Sequence, residues 1–236
     1  MKFDGIDLTQ YFRIVDIRKS ILPPIQTIKK TVPGMDGVLI TNTRLDSVYI
    51  EVDVRIKSSS KEELNETMRT LAKIFYPMGL KKLELPDEDG RYYLAQLDMM
   101  TDIKRIQTRG DTTLYFLCPE ALAYGKTKTV SIVGSALFVN GGSSHATGTL
   151  TIEIVEDVDY IQATLLDTGE FVYLEHTFIT GDILKIDLSE EMVYKNDYSI
   201  MKDCDLESDF FVIPPGESEI TISSGVGTLI FTERWL

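Results

Sequence analysis

Val48-Tyr49-Ile50-Glu51-Val52-Asp53-Val54-Arg55-Ile56-Lys57 decides the fold class. Valines and isoleucines hold every even position, while Tyr49, Glu51, Asp53, Arg55 and Lys57 hold the odd ones. A period of two puts one face of a strand in a core and the other in water. Working outward, Phe12-Arg13-Ile14-Val15, Ile25 to Val32 and Val38 to Ile40 read as shorter strands. Pro23-Pro24, Pro33-Gly34 and Asp36-Gly37 punctuate them as turns. Downstream, the period changes once. Ser60 is placed to cap a helix, and Glu63, three residues on, can close a capping box. Leu64, Met68, Leu71, Ala72 and Phe75 then form one apolar stripe, and Pro77 and Gly79 end it. Burying the four large members contributes about 6–12 kcal/mol as an upper figure, enough to pin the helix across a sheet.

A hairpin follows, Lys82–Leu85 with Arg91–Met99, turning at Asp87-Glu88-Asp89-Gly90. The next pair, Ile103–Thr108 with Thr112–Cys118, is expected to turn at Gly110, and Pro119 to Gly125 reads as a boundary. Beyond it, all signals are strand. Candidates are Thr129–Val133, Ala136–Val139, Thr149–Val155, Tyr160–Leu166, Phe171–Glu175 and Ile183–Leu188, then Phe210–Ile213, Glu219–Ser223 and Thr228–Thr232. Short strands at such regular spacing predict a β-sandwich or jelly roll.

Charge divides the chain at the same place. Residues 1–126 hold 19 Lys/Arg and 18 Asp/Glu, whereas residues 127–236 hold 5 and 19, a net of −14. Segregation of this kind predicts two modules in different surroundings, 1–125 and 126–236. The overall charge of −13 argues against nucleic acid as a ligand, because no basic run exceeds a pair such as Lys29-Lys30 or Lys81-Lys82. No stretch approaches the roughly 18 apolar residues of a membrane span, and the first residues lack a signal peptide's apolar run. The expectation is a soluble protein made in a cytoplasm, with Cys118 and Cys204 reduced and buried.

Chemistry-bearing patterns are sparse. His145 and His176 stand alone, with no second His or Cys at metal-ligand spacing. Gly142-Ser143-Ser144-His145 does not fit a nucleophile elbow and reads as a loop. Arg109-Gly110-Asp111 spells an adhesion tripeptide, but a hairpin turn between two strands explains Gly110 fully. Asp203, Asp205, Glu207 and Asp209 alternate and could gather oxygen ligands for calcium, although the calcium-loop glycine is missing and a solvated charged loop is favoured. Glu153, Glu156 and Asp157 could be imagined as a glycosidase pair, which would need two carboxyls facing across a cleft. Tyr160, Phe171, Tyr173 and Trp235 offer a possible stacking platform for a sugar, with core packing the alternative. No catalytic, cofactor or metal residue is therefore assigned. The reading is of a non-enzyme without a cofactor.

Residue order adds what chemistry does not. The opening Phe3-Asp4-Gly5-Ile6-Asp7-Leu8 with Tyr11-Phe12-Arg13-Ile14 is one marker, and Val32-Pro33-Gly34-Met35-Asp36-Gly37 leading through Thr43-Arg44-Leu45 is another. Gly181-Asp182-Ile183-Leu184-Lys185-Ile186-Asp187 and the run from Phe210 through Pro214-Pro215-Gly216 to Ile220 follow, with an Arg234-Trp235-Leu236 tail. This collinear set resembles the distal tail protein family of long, non-contractile-tailed bacteriophages and prophages of Gram-positive hosts. The resemblance implies a mainly β chain with one amphipathic helix. Residues 1–125 would be a ring-forming domain related to tail-tube proteins, and 126–236 a galectin-like β-sandwich. It implies a homo-hexameric ring, single or stacked, at the tail tip of the virion. Its partners would be the tail-tube protein, a tail-associated hub protein and a baseplate or receptor-binding protein. DNA would pass through the lumen unread, and no membrane is involved. A carbohydrate-binding module for cell-wall adhesion is the alternative function. Some members carry an inserted carbohydrate-binding domain, for which this chain has no room.

Overall fold

The structure is a computed structural model and describes residues 1–56, 58–76, 79–100, 104–106 and 109–236. Lys57 and Pro77, and the ends Ile103 and Thr108 of one expected strand, lie outside the described residues. The chain divides into two compact units, Met1–Ala123 with Leu236, and Tyr124–Trp235.

The first unit opens with the short pair β1 (Lys2–Phe3) and β2 (Ile6–Asp7), then β3 (Phe12–Arg18), β4 (Ile25–Lys30), β5 (Leu39–Leu45) and β6 (Val48–Ile56). Helix α1 (Lys61–Phe75) follows, then β7 (Lys81–Glu84), β8 (Tyr93–Met100), β9 (Lys104–Ile106) and β10 (Arg109–Cys118). Antiparallel pairing gives the order β2-β1-β7-β8-β10-β6-β3, with β9 also on β10. All five even-numbered apolar residues of β6 are buried. They share a core with Phe12, Leu114, Phe116 and the helix residues Leu64 and Leu71. Phe3, Phe75 and Phe116 close it, their ring centroids 5.5–6.0 Å apart, a spacing that suits tilted aromatic pairs.

The helix start follows the capping logic with one displacement. Ser60 Oγ accepts from the Glu63 N–H at 3.1 Å, but the Glu63 carboxylate reaches back to the Ser59 N–H at 2.6 Å and to the Ser59 hydroxyl. The stripe also differs at one place: Ala72 is exposed and Ile74 packs against the core instead. Leu71, Ile74 and Phe75 are related by three and four residues, which keeps them on one face. Strand β3 carries a bulge between Ile14 and Asp16, which turns Val15 outward. Gly110 is not a turn. It lies within β10, opposite Ile56 on one side and Arg105 on the other.

The second unit comprises β11 (Ala123–Asn140), β12 (Gly148–Glu153), β13 (Val158–Leu165), β14 (Phe171–Phe178), β15 (Ile183–Asp187), β16 (Met192–Lys195), β17 (Tyr198–Ser199) and β18 (Gly216–Trp235). The order is β14-β13-β18-β12-β15-β16-β17, with β11 also on β18. Two expected strands, Thr129–Val133 and Ala136–Val139, fall in the single element β11. The Lys128 ammonium donates to Val139 O at 2.8 Å, a contact across eleven residues that an extended strand would forbid, so β11 doubles back at Gly134 (φ 71°). Likewise Glu219–Ser223 and Thr228–Thr232 merge in β18. Its front part pairs with β13 through Ile220–Ile222, and its rear part with β12 through Val226–Phe231. Phe210–Ile213 is not a strand. Its side chains Phe211 and Ile213 fill the core, and only Ile213 forms a bridge, to Ala146. Buried Leu150, Ile152, Ile161, Leu174, Leu184, Ile186 and Phe231 complete that core.

Candidate assembly interface

Among the described residues, strands β4 and β5 pair only with each other, forming a two-stranded sheet apart from the two large ones. Their register runs from Ile25 opposite Leu45 to Lys30 opposite Leu39, shifting once at Ile28 and Lys29. Arg44 Nε donates to Gln26 Oε1 at 2.6 Å and Thr41 Oγ1 to Ile28 O at 3.1 Å, so the ribbon holds itself together. Positive φ angles at Gly34 (81°) and Gly37 (91°) turn its tip, where Met35 N–H donates to Val32 O. Among the described residues, nothing covers the ribbon's apolar side chains fully. Ile25, Ile28, Leu39, Ile40 and Leu45 are each 43–59% exposed, as are Met35 and Val38 at the tip. An isolated hairpin of this kind is marginal in water, and its register leaves apolar side chains exposed on both faces, Ile25, Ile40 and Leu45 on one and Ile28 and Leu39 on the other, which marks it as an interaction element. At the base, Asp46 N–H donates to Pro24 O at 2.8 Å, so the ribbon leaves and re-enters the unit at one point.

The first unit also ends in an open edge. β3 pairs with β6 on one side and with no strand on the other among the described residues. A row of unpaired N–H and C=O groups is a template for another chain. Its neighbouring face is polar and locked. The Arg18 guanidinium bridges Glu51 and Asp53 at 2.6–3.2 Å and touches Asp16 at 3.2 Å. Hydrogen bonds from Arg18, then Thr113, hold the Asp53 carboxyl below its ordinary range. Arg55 meets Asp111 at 2.7 Å, which raises the guanidinium's already high pKa. These two cations are neutralised in place.

The residues singled out for chemistry are dispersed and occupied. Asp203 accepts from His176 Nδ1 at 2.9 Å, Asp205 Oδ1 accepts from the Glu207 N–H at 2.7 Å, and the Asp209 N–H donates to Phe171 O. Asp205 N–H and Ser208 Oγ both bond Tyr173, so residues 203–209 lie along the outer edge of β14. Alternating carboxylates there guard a sheet edge. Among the described residues no three His, Cys, Asp or Glu side chains converge on a metal position. Glu156 accepts from Ser224 and Asp157 from the N–H and hydroxyl of Thr180, while Glu153 is exposed on β12. The Glu156 and Asp157 bonds each tie one loop to another. Tyr160 and Tyr173 stack on one another with centroids 5.6 Å apart, Phe171 is half-buried, and Trp235 presses its indole against Gly125. His145 is exposed on a loop pinned by Ser144 to Arg234. Asp111 of the tripeptide is held by Arg55. Cys118 is buried and free, its thiol pushed up to about 12 by burial, and Cys204 is half-buried and free. No helix among the described residues is long and apolar enough to cross a membrane.

Sequence reasoning missed the ribbon's second strand beyond Ile40. The polar run Thr41-Asn42-Thr43-Arg44 hides it, because a ribbon wet on both faces has no period-two contrast.

Comparison with known proteins places both units. Residues 6–118 match the phage tail protein RIFT-related domain, and residues 141–235 match the C-terminal domain of siphovirus-type tail components. The distal tail protein of Bacillus phage SPP1 is 27% identical over 241 residues, covering 100% of this chain and 95% of that protein. The crystal structure of SPP1 Dit, described as a paradigm of the hub adsorption apparatus of Gram-positive-infecting phages, superposes with a TM-score of 0.86. It is 23% identical and the match covers 99% of this chain and 98% of that one. With tail-component domains matched in order and a distal tail protein aligned along the full length, the chain belongs to the distal tail protein family of siphophages.

Proposed function

We propose that this chain is a structural hub of the phage tail tip. Six copies form a ring that joins the tail tube to the tail-tip and receptor-binding apparatus. The observation that carries the ring is the pairing of features in the first unit: an uncovered apolar ribbon and an open strand edge. A contact between two different patches, repeated by rotation, closes a ring and stops growth. Each copy would offer its ribbon to one neighbour and receive the other neighbour's. Burial of the exposed isoleucines and leucines of β4 and β5 supplies the driving force.

Residues 1–125 would act as the ring-forming domain related to tail-tube subunits, and residues 126–236 as a galectin-like sandwich projecting from it. A charge of −13 on residues 126–236 favours splayed, soluble copies. Its contacts would be with the tail-tube protein, a tail-associated hub protein and a baseplate or receptor-binding protein. DNA would cross the lumen without recognition, consistent with Arg18 and Arg55 being held by carboxylates. The work is attachment, with no bond made or broken. Gold-labelled antibody against this chain should mark the adsorption end of intact particles. Label on the head, along the tail shaft or nowhere would contradict the proposal.

A further inference from the structure

The second unit has one face whose composition departs from the rest of its surface. The Thr127 and Thr232 hydroxyls lie 3.0 Å apart, which puts the odd positions of β11 and the even positions of rear β18 on the same side. From Thr127 to Val139 the odd positions read Thr, Thr, Ser, Val, Ser, Leu, Val, and from Val226 to Thr232 the even ones read Val, Thr, Ile, Thr. Not one is charged. The registers extend the face to Thr149 and Thr151 of β12, opposite Ile230 and Thr228. Charge returns farther out with Glu153, Lys185 and Asp187, on β12 and β15. Val133 is 74% exposed and Leu137 67%, and Val139, Val226 and Ile230 are also exposed.

Residues 127–236 carry 19 Asp/Glu, yet eleven consecutive outward positions on two strands avoid them all. The solvated face of an antiparallel sheet normally alternates polar residues outward. Charge depletion with an apolar centre is the composition of an interface core. The back of this face is fully committed, since Ile132, Phe138, Leu229 and Phe231 are buried beneath it. Core packing therefore does not explain the outward side chains.

We infer that this β11–β18 face docks a second protein of the particle, apolar at its centre and bearing Lys or Arg around it. Charge complementarity selects that occupant. Another copy of the same unit would bring a second −13 against the first, whereas a basic rim meets Glu153 and the neighbouring Glu156 and Asp157, Asp187 being already beside Lys185. The inference rests on the tail-tip reading only for the particle in which it is tested.

The test places the photoreactive residue p-benzoylphenylalanine at position 137 or 230 of the chain assembled in phage particles, followed by irradiation and mass spectrometry of the adducts. The expected result is an adduct with a different virion polypeptide, at an apolar site flanked by Lys or Arg. Adducts with this chain alone, with an acidic site, or none at either position would overturn it. A second arm uses the double variant Leu137→Asp/Ile230→Asp. Its circular dichroism, melting temperature and native assembly mass should match the unmodified protein, because both positions point to solvent. Particles carrying it should lose the crosslinked polypeptide by about tenfold or more. Retention of that polypeptide would overturn the inference, while a changed assembly mass would fault the ring reading separately.

Discussion

The Lys195 ammonium on β16 lies 2.8 Å from Oδ2 of Asp182, in the turn between β14 and β15. The same carboxylate accepts from the Ile179 N–H at 2.9 Å and from Asn196 Nδ2 at 2.8 Å, so it ties two adjacent turns together. The bond from Lys195, then that from Ile179, lowers the Asp182 pKa from 3.8 to about 2. A carboxyl whose pKa falls on folding stabilises the fold above its unfolded value, and that contribution is lost as pH drops through the folded one. Stability of the second unit should therefore fall between about pH 4 and pH 2. Asp182→Asn should cost about 1.5–3 kcal/mol at neutral pH, the range for a charge-assisted hydrogen bond. It should also flatten the acid limb. Urea unfolding at neutral pH and at acid pH checks both.

Gly225 and Gly134 share left-handed backbone but differ in surroundings. At Gly225 (φ 91°) a Cβ would lie 2.6 Å from Glu153 O and 2.7 Å from Ile152 Cγ2, whereas at Gly134 (φ 71°) it would meet open space. Gly225→Ala should cost about 2–4 kcal/mol, backbone strain plus overpacking, and Gly134→Ala about 1 kcal/mol. Thermal unfolding of the two variants side by side should show that order.

Ser60 accepts from the Glu63 N–H and opens the α1 helix. Ser60→Ala should lower stability by about 1 kcal/mol without changing assembly, because the cap is local. Chemical denaturation and native mass measure the two separately.

The cysteines differ in access. At pH 8 a disulfide reagent should modify half-buried Cys204 first, while buried Cys118, raised to about 12, should react only on unfolding. The stoichiometry of thiol release before and after adding guanidinium gives the answer.

Legibility followed the contrast between buried and wet faces. β6 and α1 were readable because Val48–Ile56 alternates strictly and Leu64, Met68, Leu71 and Phe75 repeat at helical spacing. The doubling of β11 at Gly134 and the continuity of β18 through Gly225 were not, since a glycine reads the same whether it ends a strand or bends one. β16 and β17 are too short to show a period. The candidate interface was the least legible part. Ile25, Ile28 and Ile40 look like core residues in sequence, and only the structure shows that they are exposed among the described residues. The carboxylates at Asp203–Asp209 illustrate the opposite case, a pattern resembling a ligand set that folds into an edge guard.

Ring closure through the β4–β5 ribbon is tested most directly by native mass spectrometry with negative-stain imaging of two proteins. The first is the chain itself, with its tail-tip hub partner added. The second has residues 25–45 replaced by a short Gly-Ser turn, which the Pro24–Asp46 hydrogen bond at the ribbon's base allows without stretching the chain. None of the removed residues belongs to the unit's buried core, so the variant should stay folded. The account predicts six copies of the 26.7 kDa chain around a central hole for the first, and monomers for the second. A monomeric mass for the unmodified chain under every condition, or an intact ring without the ribbon, would contradict it.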